Sequence, residues 1–434
     1  MKLVVLTYGT DGDTRPMIAL CRALMDAGHA PHLLADEGTL ALAHALGVPC
    51  SPIAGDIRGL LDPAAGISGV VQEGASFTRT AQALARIANT HAQAWMGAAV
   101  EAGQGCDGLI LSGLAGFAGL SAAQALGIPA VGTSIIPLTP TAEFASPFLP
   151  PRWVPRALHR ASHRVANRLF WYAFRKAINR ARASVGGLPP LRALPQGHPM
   201  LYGVSPTLLP QPRDWPRNAQ VCGQWPLPAP DWSPPGPLMD FLAAGDAPVY
   251  VGFGSMVGFE PRRMRDVIVE GVAGRRAVFH PGWSGMDTAG LPSNIFVVGE
   301  APHAWLFPRM SAVVHHGGAG TAHSATRAGV PSVVVPFAGD QPFWAERLRR
   351  LGAAPPPLDV RKLTGTQLGQ AIAATQSGAM RGRARELGEA MGAEDGLAAA
   401  VGMIERLIAA GGKPPEHRVA TGAQHAVGRH AVRS

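Results

Sequence analysis

Two histidines lead into three glycines within four positions in His315-His316-Gly317-Gly318-Ala319-Gly320-Thr321. The block lies between a short apolar run, Ala312-Val313-Val314, and a helix-compatible segment that begins near Thr321. Glycines let backbone N–H groups approach a ligand without Cβ obstruction. A helix amino end behind them adds unpaired donors and partial positive charge, so the turn suits an anion such as a phosphate. Val333-Val334-Val335 forms a second apolar strand and carries Asp340 and Gln341 to the same sheet edge. Ligands of open parallel sheets sit at that edge, and this pair suits the hydroxyls of a polyhydroxylated group. A third strand, Val249 to Phe253, runs into Gly254-Ser255 and adds a hydroxyl and further backbone donors.

The opening TYGTDGDTRP offers two more carboxylates, Asp11 and Asp13. As a D-x-D pair they suit a divalent ion bridging substrate phosphates. That pattern is short and lies far in sequence from the phosphate turn, so no metal is expected. The favoured reading is one working carboxylate, Asp13, at a helix start, with Asp11 solvated or supporting the turn. The plainer alternative, a helix cap, stays open. A dinucleotide site is rejected here, because GTDGDTR lacks the third glycine of G-x-G-x-x-G and its carboxylates would repel a pyrophosphate.

These residues need elements to hold them. At 434 residues the chain is long enough for two domains. With 47% hydrophobic and 15% charged residues it reads as globular and not disordered. No run of about 18 apolar residues is present to span a bilayer, and MKLVVLTYGT is too short for a signal peptide and reads as a first strand. Cys21, Cys50, Cys106 and Cys222 are widely spaced and match neither a zinc site nor a redox pair, which fits reduced thiols in a cytoplasmic protein.

Strand Lys2 to Thr7, a turn over Asp11 to Pro16, helix Met17 to Ala27 and strand His32 to Ala35 make a βαβ unit. The α/β alternation continues through about residue 136, and the proline-rich apolar stretch Ile136 to Pro151 is expected to be a pocket wall or flap. A first domain is assigned to 1–223, a proline-rich linker to 224–246, a second doubly wound domain to 247–410, and a basic frayed tail to 411–434.

The charge of +9 is uneven: between Phe144 and Arg213 there are eleven Lys or Arg and no Asp or Glu. Arg152, Arg156, Arg160, Arg164 and Arg168 recur every four residues beside Leu158, Ala161, Val165 and Leu169. Over 152–182 this is a basic amphipathic helix with two readings at even weight. One is a solvated face on a packed helix; the other is peripheral contact with an anionic membrane. Nucleic acid is not expected as a partner, since no recognition motif accompanies the charge.

APHAWLFPR (301–309), HHGGAGT (315–321) and GDQPFWAER (339–347) together resemble the nucleotide-sugar-dependent glycosyltransferases of the two-domain GT-B fold. Within the UDP-glycosyltransferase superfamily the similarity points to the branch of sterol glucosyltransferases, bacterial rhamnosyltransferases and antibiotic glycosyltransferases. TYGTDGDTRP resembles that branch's amino-terminal loop. The resemblance implies two Rossmann-like domains facing a cleft, a UDP- or dTDP-sugar as co-substrate, no cofactor or metal, and a lipophilic hydroxyl acceptor. It implies that His316 contacts the donor phosphate, that Gly318, Ala319, Gly320 and Thr321 border the pyrophosphate, and that Ser255 meets it from the opposite loop. His303 would meet the nucleobase, Asp340 and Gln341 the sugar, and Asp13 would be the general base of an inverting transfer. Ser324 stands where many plant relatives carry a ribose-binding glutamate, which leaves UDP and dTDP open. An epimerase and a non-catalytic nucleotide-sugar-binding partner protein are the rival readings.

Overall fold

The computed structural model describes residues 1–57, 59, 77–150, 153–195, 197–227, 232–254, 256 and 260–411, with the backbone alone for 77–84. Two parallel sheets organise the chain. The first contains β1 (Lys2–Leu6), β2 (Ala30–Asp36), β3 (Cys50–Ile53), β4 (Gly108–Leu111), β5 (Ala130–Ser134), β6 (Met200–Tyr202) and β7 (Ala219–Val221), in the order β3-β2-β1-β4-β5-β6-β7. The second contains β8 (Val249–Gly252), β9 (Ala277–His280), β10 (Ile295–Val297), β11 (Ala312–His315) and β12 (Ser332–Val334), in the order β10-β9-β8-β11-β12. Central strands such as Leu3 to Leu6 and Val249 to Gly252 are buried along their length, as sheets covered on both faces require.

In the first domain the covering helices are α1 (Asp11–Asp26), α2 (Ala41–Ala45), α3 (Phe77–Ala102), α4 (Gly116–Leu126) and α5 (His159–Gly186). In the second they are α6 (Gly236–Ala243), α7 (Pro261–Val272), α8 (His303–Leu306), α9 (Ala319–Arg327), α10 (Gln341–Arg350), α11 (Gly365–Thr375) and α12 (Gly378–Gly392). A last helix, α13 (Gly396–Ala409), follows.

Three assignments change. The turn expected over Asp11 to Pro16 is helical: Thr10 caps α1 and accepts from the Gly12 N–H, while Asp13 at the third helical position bonds back to the Thr10 N–H. This capping box starts the helix well ahead of Pro16, whose missing N–H is accommodated inside it. Residues 236–243 of the expected linker form α6, whose Leu238 is buried with Tyr250 and Val298 of the second domain. α13, assigned by sequence to the second domain, instead packs on the first. Its Ala400, Val401, Ile404, Leu407 and Ile408 share a core with Leu3, Met17 and Leu20. The return is close: a Cβ on Gly396 would lie 2.3 Å from the Gln224 carbonyl oxygen, so only glycine fits. Trp225 Nε1 donates to the Gly396 carbonyl, 3.1 Å away. β3 and β7 are strands that periodicity alone does not separate from loops. The expected tail, apart from Gly411, lies outside the described residues.

The domains meet through an apolar cluster that joins Tyr202, Val204, Leu208 and Trp215 to Val334, Phe343, Trp344 and Leu348. Burying a side chain as large as Trp344 contributes on the order of 4 kcal/mol before entropy is counted. Polar ties reinforce this face. Ser205 Oγ and Thr207 Oγ1 donate to Glu394 Oε1 at 2.8 and 2.7 Å, and Arg347 donates to the Leu208 carbonyl.

Candidate active site

Parallel strands bring their carboxyl ends to one edge, and the two sheets turn those edges toward a cleft. On the second-domain side, Gly254 follows β8, His303 opens α8 after β10, His316 follows β11, and Asp340 precedes α10 after β12. β8 neighbours β11 and β11 neighbours β12, so the loops bearing Gly254, His316 and Asp340 converge, and His303 reaches them through its ring contact with Tyr250 of β8, centroids 6.2 Å apart.

The glycine turn is shaped by its own histidines. His315, fully buried at the end of β11, accepts the Gly317 N–H on Nδ1 at 3.1 Å and so sets the turn. Gly317 has φ +91°, and a Cβ there would lie 2.8 Å from Val334 Cγ1 and 3.1 Å from the Gln341 carbonyl. That position therefore needs glycine for conformation and for space. The His316 ring lies over Gly318, where a Cβ would come 2.4 Å from Nε2, and beside Gly254, where a Cβ would come 3.3 Å from Cε1. His316 thus spans the loops after β8 and β11. Its Nδ1 and His315 Nε2 are buried without hydrogen-bond partners among the described residues. Burial holds the His316 imidazole down to about 4, so it is neutral at pH 7 and able to donate a hydrogen bond. Ala319, Gly320 and Thr321 form the first turn of α9, whose cap is Gly318.

Asp340 accepts from Trp344 Nε1 at 2.7 Å. Burial, with a smaller contribution from the Asp13 charge across the cleft, pushes its carboxyl up to about 6 even though Trp344 pulls the other way. Gln341 is more committed than the sequence suggests: Oε1 accepts from the Phe337 and Ala338 amides at 2.7 and 3.1 Å, and Nε2 points at Met256 Sδ, 3.1 Å away. It holds the loop before α10 in place. His303 stacks on Phe307 with centroids 4.1 Å apart, and burial holds it down to about 3. Ser255 lies outside the described residues.

On the other side, Asp13 takes its two hydrogen bonds from Thr10, N–H at 2.9 Å and Oγ1 at 3.4 Å, on Oδ2 alone. Burial pushes its carboxyl up to about 6, and the Thr10 bonds oppose that. The helix-cap reading holds, and it leaves Oδ1 without a partner among the described residues. Asp13 lines a cavity of about 860 Å³ whose walls include Tyr8, Phe117, Leu120, Ile136, Phe148, Phe170, Phe174 and Tyr202. The stretch 136–150 contributes Ile136, Leu138, Thr139 and Phe148 to this wall, as its apolar, proline-rich composition implied. Asp36, which ends β2, is buried and accepts the Gly38 and Ile57 amides at 3.0 Å each. Among the described residues no group of three or more His, Cys, Asp or Glu is arranged to hold a metal ion.

Two participants carry no sequence signal of their own. Arg15, one turn after Asp11, reaches Glu300 of the second domain. His323 on α9 uses both ring nitrogens: Nδ1 donates to the Ala319 carbonyl at 2.7 Å, and Nε2 accepts the Ser205 N–H of the first domain at 3.1 Å.

Comparison with known proteins agrees with this geometry. Residues 276–407 match the family described as erythromycin biosynthesis protein CIII-like, C-terminal domain. Sterol 3-beta-glucosyltransferase UGT80B1 of Arabidopsis thaliana is 31% identical over 429 residues, covering 96% of this chain and 69% of the relative. The sterol 3-beta-glucosyltransferase of Neurospora crassa is 32% identical, but this chain covers 94% of itself and only 27% of that protein. Among solved structures, glycosyltransferase VinC in complex with dTDP superposes with a TM-score of 0.67 at 22% identity, covering 94% and 100% of the two chains. The calicheamicin glycosyltransferase CalG4 gives 0.66 at 21%, covering 96% and 99%. These two likenesses extend to both domains and show a shared fold.

Proposed function

The chain belongs to the UDP-glycosyltransferase superfamily of GT-B fold and is a glycosyltransferase; from that premise we propose that it moves a hexosyl group from a UDP- or dTDP-sugar to a hydroxyl of a lipophilic acceptor, with inversion at the anomeric carbon. One observation carries this reading. Asp13 lines the large apolar cavity, and its charge is felt by Asp340 at the edge of the opposite sheet. A base candidate, an acceptor-sized cavity and the glycine turn thus share one cleft.

In the proposed reaction, Asp13 Oδ1 accepts the proton of the acceptor hydroxyl as its oxygen bonds to the anomeric carbon. The bond from that carbon to the β-phosphate oxygen breaks, and its electron pair leaves with the nucleoside diphosphate. Neutral His316 and the first amides of α9 stabilise the charge developing there, so the step needs no metal. Asp340 holds sugar hydroxyls, Gln341 positions the loop beside them, His303 with its Phe307 backing meets the base, and Ser255 meets the phosphate. The acceptor class is drawn from the cavity wall and from relatives named for sterol glucosylation. A nucleotide-sugar epimerase or a non-catalytic binding partner protein would have no use for an apolar cavity of this size beside the base.

A mass-spectrometric screen of UDP- and dTDP-sugars against sterol, hydroxylated lipid and polyketide acceptors tests the proposal. It expects a product heavier than the acceptor by one anhydrohexose. Donor epimerisation without acceptor consumption would overturn it.

A further inference from the structure

The outward side of α5 takes no part in that chemistry. Among the described residues seven large apolar side chains are exposed, and five of them fall within one stretch of twenty residues: Trp153, Leu158, Val165, Leu169 and Tyr172. Each is more than half exposed. Leu158, in the turn entering α5, is followed by Val165, Leu169 and Tyr172 at spacings of seven, four and three, which places them in one stripe along the helix. A soluble protein scatters its exposed apolar groups singly, so a contiguous stripe calls for a partner.

The charge around the stripe says which partner. Beyond its carboxyl-terminal end, Arg175, Lys176, Arg180 and Arg192 line one shallow concavity, and Arg175 stacks over Tyr172 at 4.5 Å. Asn179 pins the wall of that concavity by exchanging hydrogen bonds with the Leu191 backbone at 3.0 and 2.8 Å. The sequence holds no acidic residue from 153 to 213. The next one, Asp214, is already bound by Arg160, Thr141 and the Ala142 amide. Lys176, Arg180 and Arg192 have no ion-pair partner among the described residues. Four cations in a concavity beside an apolar stripe match a surface with phosphate groups at one level and hydrocarbon just below it.

We propose that this face of α5 docks on an anionic phospholipid bilayer, with the apolar stripe at the headgroup–acyl boundary and the Arg175/Lys176/Arg180/Arg192 concavity around a lipid phosphate. Lysine and arginine stems reach past the apolar level while their charges stay with the phosphates. A second copy of the chain is a poor occupant, because two such faces would oppose like charges. Nucleic acid would use the cations and leave the apolar stripe in water. The inner face of the same helix, with Asn167, Phe170 and Phe174, walls the cavity beside Asp13. Docking would therefore set that cavity against the layer in which a lipophilic acceptor dissolves. That consequence rests on the proposed acceptor class, whereas the docking does not.

The test is co-sedimentation of the full chain with vesicles of phosphatidylcholine alone and of phosphatidylcholine with phosphatidylglycerol, without any substrate. Wild type is expected to pellet with the anionic vesicles and stay in solution with the neutral ones. Lys176→Glu/Arg180→Glu/Arg192→Glu should lower anionic-vesicle affinity by roughly a hundredfold or more. Val165→Ser/Leu169→Ser should lower it by about tenfold or more, and both variants should keep the wild-type Tm because the altered side chains are exposed. Equal pelleting with both vesicle types overturns the proposal, as does undiminished pelleting of the charge variant. Lipid-free dimerisation abolished by the same substitutions, or duplex DNA binding where vesicles fail, equally overturns it.

Discussion

Arg15 Nη2 lies 3.1 Å from Glu300 Oε2, an ion pair that links α1 of the first domain to the segment before α8 of the second. It crosses the cleft two residues from Asp13 and three from His303. Both side chains are well exposed, at 41% and 71%, so the pair contributes at most about 1 kcal/mol to stability. Its effect is on how the two halves of the site face each other. Glu300→Ala is expected to shift Tm little while raising the donor KM several-fold, with the difference from wild type shrinking at high salt. A large Tm loss with an unchanged KM would assign the pair to stability instead.

Gly318 tests the glycine turn through His316 alone. Its backbone, at φ −59° and ψ 144°, suits any residue, so Gly318→Ala carries no conformational cost. The added Cβ would however come 2.4 Å from His316 Nε2 and push the imidazole aside. Calorimetric titration with UDP or dTDP should show affinity falling by about tenfold or more, the loss expected when a hydrogen bond to a charged group is removed. Gly320→Ala, which meets no atom within 4 Å, should leave Tm unchanged.

The cavity assignment is tested by filling it. Ile136→Trp adds bulk to the wall beside Asp13 without altering the donor loops. Steady-state kinetics should show the KM of a sterol-sized acceptor rising about tenfold while slow donor hydrolysis is unchanged. Equal loss of both activities would mean that the substitution disturbs the fold.

Acid should weaken the fold through its buried histidines. Burial depresses His163, His316 and His323 to about 4, His303 to about 3, and His315 well below its usual value. For a depressed histidine the stability is complete above the unfolded value near 6.5 and is lost as pH falls toward the folded value, because the unfolded chain binds the proton first. Asp13 and Asp340, raised to about 6, act in the opposite sense: their ionisation costs the fold above pH 6, and the cost disappears between 6 and 3.8. These five histidines, together with His198, which burial also lowers, oppose two carboxyls, so Tm should fall between pH 6.5 and 4. His323→Leu should flatten part of that slope. It should also cost about 1–3 kcal/mol at pH 7, since it orphans the buried Ser205 N–H. A Tm that is level or rising over this range would contradict the account.

How far the sequence reveals this site depends on the range of each interaction. The strand–glycine turn–helix block at 312–327 is legible because periodicity and glycine spacing are local, and it lands within two residues of the observed elements. Asp13 is legible as a helix-start carboxylate, but the Thr10 capping box that begins α1 at Asp11 is masked by Pro16. Gln341 reads as a sugar ligand, and only the fold shows its side chain fastened to the Phe337 and Ala338 amides. The least legible features join distant segments. Ser205 to His323, Gln224 to Gly396 and the return of α13 onto the first sheet depend on a domain arrangement that no local pattern encodes.

The central claim is that Asp13 is the base, beyond its role in capping α1. Asn at position 13 keeps an oxygen for the Thr10 amide and removes the ionisation that burial disfavours above pH 6. Asp13→Asn should therefore have a Tm at pH 8 no lower than wild type and bind UDP or dTDP as wild type does. Wild-type kcat/KM should fall tenfold per pH unit below about 6, as a free carboxylate with that value requires. The decisive measurement is the transfer rate of Asp13→Asn at saturating donor. The account predicts a loss of about 100-fold or more with donor affinity intact, and a rate within threefold of wild type would contradict it.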